Sequence, residues 1–70
     1  MSTSVAVKYA LLHGLVEKAH LIEIQIEQQA DLQDWLALRG NVAKAAVVGG
    51  TINALKDDLL AILAEVRATL

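Results

Sequence analysis

Leu36-Ala37-Leu38-Arg39-Gly40-Asn41-Val42 is the one clearly punctuated stretch in an otherwise helical pattern, and its reading decides the fold. Arg39 suits a helix C-terminus, where a cation meets the negative end of the helix dipole. Gly40 suits the left-handed position that closes a helix, and Asn41 can cap the next one with its side-chain oxygen. Outward toward the N-terminus, Val5 to Leu38 contains one Gly and no Pro, and Ser2, Thr3 and Ser4 precede it as cap candidates. Toward the C-terminus the helical pattern resumes at Val42. The sequence therefore predicts helix 1 over about 4–39, a turn at 39–41 and helix 2 over about 42–69, in a single domain spanning 1–70. These are rods of roughly 50 and 40 Å, and so short a connection favours an antiparallel pair.

Two interior breaks compete with this reading. Asp31 or Asp34 could open a short separate helix over 32–38, and Gly49-Gly50 could break helix 2, with Thr51 capping the remainder. Heptad spacing decides between them. On helix 2, Ala45, Val48, Ile52, Leu55, Leu59, Ile62 and Val66 follow one another at 3- and 4-residue steps, with no slip across the glycines. A continuous helix 2 is expected, weakened by roughly 1 kcal/mol per Gly. On helix 1 the matching seam is Leu12, Leu15, Ala19, Ile22 and Ile26, then Gln29, Gln33 and Leu36. It is apolar early and turns polar toward the loop.

Composition adds a constraint. Of the 70 residues, 56% are hydrophobic but only 3% aromatic, with no Phe, Pro or Cys. The absence of cysteine excludes disulfides and thiolate zinc sites. A chain this short is marginal as a monomer, and with those staples gone association is the one left. The aliphatic content exceeds what one hairpin can cover, so some of it should face another chain. The expected fold is all-α: an antiparallel two-helix hairpin, of coiled-coil character, that dimerises into a four-helix bundle.

Helix 2 carries a second series of small residues: Ala43, Ala46, Gly50, Ala54, Ala61, Ala64 and Ala68, interrupted by Asp57. Small side chains let two helix backbones approach closely. This series is expected to lie beside the large-residue seam and to serve self-association; the bland alternative is a solvated, helix-favouring alanine face. Helix 1 has a mixed outer stripe, from which Tyr9, His13, His20, Ile24, Trp35 and Leu38 are the candidates for binding a partner protein. Tyr and Trp are common interface anchors. Trp35 could instead fold over the turn as a plug.

Catalytic and metal chemistry find little support. Glu17-x-x-His20 has the spacing used in di-iron bundles, with Glu65 as a further carboxylate, but both side chains point away from the seam that would hold the metal. The hydroxyl residues have no paired His and carboxylate at a suggestive spacing, and Gly49-Gly50 lacks the Lys-Ser/Thr of a phosphate loop. The expectation is a non-enzymatic protein with no catalytic residue, metal or cofactor. Net charge is −2 and the six Lys and Arg are scattered, which argues against nucleic acid. The charge-free runs are too short to span a bilayer, the acidic balance disfavours a surface-seeking helix, and no signal peptide is visible, so a cytoplasmic protein is expected. What remains is a small homo-oligomeric interaction protein: an inhibitor, anti-activator, chaperone or adaptor of the kind found on phages and plasmids. A structural subunit of a filament, ring or virion is the main alternative, ahead of a nucleic-acid-binding or membrane-active bundle.

Overall fold

The computed structural model describes residues 4–70. It contains two helices, α1 (Val5–Leu38) and α2 (Val42–Thr69), packed against each other as a hairpin. Ser4 caps α1, its Oγ accepting from the Val7 N–H at 3.2 Å; Ser2 and Thr3, the other cap candidates, lie outside the described residues. Neither interior break occurs. α1 runs on through Asp31 and Asp34, and α2 runs on through Gly49 and Gly50.

The turn between the helices closes one and opens the next with almost no linker. Gly40 sits at φ +80°, which a residue bearing a Cβ rarely adopts. Its N–H donates to the Ala37 carbonyl at 3.0 Å, and the Asn41 N–H donates to the Leu36 carbonyl at 2.9 Å. Together these bonds form a Schellman motif, which satisfies carbonyls that the end of α1 would leave unpaired. Asn41 Oδ1 then accepts from the Lys44 N–H at 3.3 Å, capping α2. Backbone and side chain of this single residue serve two different helices.

The helices meet along the two heptad series. The buried hydrophobics are Leu36, Ala45, Val48 and Ile52, with Ile26 and Ala30 packed against them, and all lie in the half nearer the turn. Toward the open end the contact loosens: Leu12, Leu15, Ala19 and Ile22 on α1, and Leu55, Leu59, Ile62 and Val66 on α2, are half-buried. The molecule is a rod of 60 × 14 × 10 Å. At one helix pair thick, every residue is close to a surface.

The polar end of the α1 seam has a specific partner. Gln33 Nε2 donates to the Ala45 carbonyl of α2 at 3.1 Å. That amide occupies the space beside Gly49, where an added Cβ would come within 2.9 Å of Nε2. Gly49 is therefore a seat for an interhelical hydrogen bond and not a break. Gly50 is different: nothing lies within 4 Å of where its Cβ would be.

Replacing the two glycines should separate their roles. Gly50→Ala should stabilise α2 by about 1 kcal/mol through helix propensity. Gly49→Ala should gain nearly nothing, because displacing Gln33 forfeits a hydrogen bond worth roughly the same amount. In a Gln33→Ala background the Gly49→Ala gain should reappear. Chemical denaturation of the four proteins at one concentration measures this coupling, and additive effects at positions 33 and 49 would remove the proposed role of the amide.

Candidate functional site

The described residues form no cleft with convergent chemistry, so the candidate site is the set of helix faces the hairpin leaves uncovered. Among the described residues, no group of three or more His, Asp or Glu stands together in a way that could hold a metal ion. Nor is any helix long and apolar enough to cross a membrane. The one His–carboxylate contact among them is His13 Nε2 to Glu17 Oε1 at 3.0 Å, one helical turn apart and well exposed. At that exposure such a pair contributes little.

The alanine series of α2 is not beside the seam. Ala43, Ala46, Gly50, Ala54, Ala61, Ala64 and Ala68 are all exposed. The reason is angular. Residues advance about 100° each around a helix, so Asp57, nine positions beyond the buried Val48, lies half a turn away from it. The small residues share Asp57's side and form the outer face of α2, with the seam on the inner face. The core of a bundle built around the seams would not take them in.

The six candidates on α1 do not form one patch. Tyr9, 70% exposed, lies near the open end beside Leu70 of α2. Trp35 and Leu38 lie at the turn, about 40 Å away along the helix. His13, His20 and Ile24 are exposed between them. Trp35 does not plug the turn: it is 51% exposed, and the Arg39 guanidinium carbon stands 4.5 Å from its ring centroid. This cation–π pair holds the indole against its own helix and leaves one side of it open. Leu38, 88% exposed, is its neighbour three residues on.

The flanks of the hairpin differ sharply from each other, a feature that sequence reasoning missed. On one flank α1 presents Leu11, Lys18, Gln25, Leu32 and Arg39, and α2 presents Lys44, Thr51, Asp58 and Glu65; all are exposed and most are polar. Leu11, Lys18 and Glu65 line a shallow groove there. On the other flank α1 presents Tyr9, Val16, Glu23, Ala30 and Ala37, and α2 presents Val42, Gly49, Lys56, Leu63 and Leu70. Only Glu23 and Lys56 in that second set are polar. The signal was the seven-residue spacing on either side of each seam, which becomes a face only once the two helices are placed side by side.

Trp35 should report on its surroundings directly. In a hairpin whose outer α1 face is open, its fluorescence should be that of a solvated indole, freely quenched by acrylamide. Arg39→Ala should cost no more than about 1 kcal/mol in a urea titration. A blue-shifted emission shielded from the quencher would show instead that another chain covers this end of α1. No protein-family model matches the chain, and no curated protein or solved structure matches it.

Proposed function

We propose that this chain is a small non-enzymatic interaction module of the cytoplasm, a self-associating helical hairpin that binds and regulates another protein. The observation that carries the reading is the imbalance between what is covered and what is not. Among the described residues, the buried hydrophobics are four at the turn half, while Tyr9, Leu11, Val16, Leu21, Leu60 and Leu63 are among many large apolar side chains left exposed. Exposed apolar surface on this scale marks association. The distribution also supports more than one contact. The apolar flank, the outer face of α2 and the Trp35–Leu38 end of α1 point in different directions, so covering one leaves the others free for a second partner.

A second reading has its own support. The seam of α2 and its small-residue face lie on opposite sides of one helix, an arrangement that allows layers of helices to repeat. That geometry fits a structural subunit of a filament, ring or shell.

Light scattering coupled to size-exclusion chromatography, over a dilution series, tests both. The module reading expects a discrete dimer or small oligomer whose size holds on dilution. An open-ended distribution that grows with concentration would favour the structural subunit. A folded monomer at every concentration would remove self-association from the proposal.

A further inference from the structure

The apolar flank is regular along both helices and differs from the other flank in what it carries. Its α1 residues, Tyr9, Val16, Glu23, Ala30 and Ala37, rise in steps of seven, and its α2 residues, Leu70, Leu63, Lys56, Gly49 and Val42, fall in steps of seven. The helices are antiparallel, so each α1 residue stands at the level of one α2 residue; Tyr9 beside Leu70 fixes the alignment at the open end. The flank is thus a ladder of five rungs. Tyr9/Leu70 and Val16/Leu63 are large, Ala30/Gly49 and Ala37/Val42 are smaller, and the middle rung is Glu23/Lys56. Among the described residues, neither Glu23 nor Lys56 forms an ion pair within the hairpin.

We infer that a second copy of this chain covers this flank, with its turn at the same end, closing a four-helix bundle in which each Glu23 faces the Lys56 of the other copy. The inference rests on the self-association reading and adds the face and the orientation. Surface area supports a copy of this size. A compact 7.5 kDa chain exposes roughly 4,200 Å², whereas this one exposes 5374 Å². The difference, about 1,200 Å², is comparable to the ~800 Å² that each partner buries in a stable complex. Position supports this flank over the outer faces. A chain laid along it also covers the open sides of the half-buried seam residues Leu12 and Leu59, which lie beside Tyr9 and Val16 and beside Lys56 and Leu63 and which no contact on the outer face of α2 could reach.

Charge selects the orientation. Two symmetric arrangements lay flank on flank. With the turns at the same end, each α1 lies over the partner's α2, and both middle rungs match Glu23 with Lys56. With the turns at opposite ends, each helix lies over its own counterpart, so Glu23 faces Glu23 and Lys56 faces Lys56. Like charges meeting in an apolar interface disfavour that pairing. Size is the weaker discriminator. The same-end arrangement sets large rungs on large and small on small, and a change in helix spacing between about 10 and 8 Å along the bundle accommodates both.

The test uses the full chain. The wild type should be a dimer by light scattering, and Val16→Asp and Leu63→Asp should each shift it toward monomer. Ala61→Asp, on the outer face of α2, should leave the dimer intact. Glu23→Lys and Lys56→Glu change exposed side chains and so spare the fold; each should weaken the dimer by about tenfold, and the double exchange should restore it. A spin label on Leu38→Cys reports orientation. The two labels should lie about 25 Å apart with turns together, against about 45 Å with turns at opposite ends. A dimer that survives Val16→Asp and Leu63→Asp but is lost in Ala61→Asp would overturn the inference while leaving self-association standing, through the outer face of α2. A label separation near the longer distance would overturn the orientation. A monomeric wild type would remove both the inference and the reading beneath it.

Discussion

Two helices share one line of contact, and this structure depends on how much aliphatic surface that line can cover. A helix presents a full circle of side chains, and a single neighbour hides a stripe of it. Here the stripe is well hidden only in the half nearer the turn, where Leu36, Ala45, Val48 and Ile52 are buried and the Gln33 side chain crosses beside Gly49. Farther out, Leu12, Leu15, Leu59 and Ile62 line the seam and stay half-buried. Lengthening the helices adds apolar surface to the flanks and outer faces as fast as it adds contact. No lengthening of a hairpin removes the excess; another layer of helix does.

The turn matters because it sets the register of everything beyond it. With Gly40 closing α1 and Asn41 opening α2, there is no free loop to absorb an error in phase. The Gln33 amide then fixes the first level of contact by bonding the Ala45 carbonyl across the seam. That polar bond in the middle of the packed end is a matter of specificity. Aliphatic side chains tolerate a small slide along the helix, whereas a directional hydrogen bond seated beside a missing Cβ does not. From this point each heptad on α1 is set against one on α2.

Much of the fold was legible because it depends on local rules. Heptad spacing is a property of one helix, and the caps at Ser4 and Asn41 and the left-handed Gly40 are properties of a few neighbouring residues. The misplaced feature, the small-residue face of α2, shows the limit of counting steps. Spacing reveals that residues share a face, but the direction of that face follows only from its angle to the seam, which is half a turn here. Two further features depend on both helices at once. The role of Gly49 depends on Gln33 from the other helix, and the apolar flank exists only in the pair. Each half of that flank, taken alone, is a set of isolated apolar residues on a mostly ordinary helix side.

The charged rung on the apolar flank has a physical logic that an all-aliphatic flank would lack. Lined only with Ala, Val, Leu and Tyr, the flank would attract any other apolar helix, in either direction and at several offsets. Placing Glu23 and Lys56 at mid-length lowers the attraction somewhat, since both lose water on association. In return, a partner must present the opposite pair at the same level, and an offset by one heptad sets each charge against an uncharged residue: Val16, Ala30, Gly49 or Leu63. A second copy with its turn at the same end meets that condition by symmetry, while most unrelated helices do not. The same device, a few polar groups in an apolar seam, specifies partner and direction in coiled coils at a cost in stability. For a chain that exposes so much apolar surface, selectivity of this kind would separate defined association from aggregation.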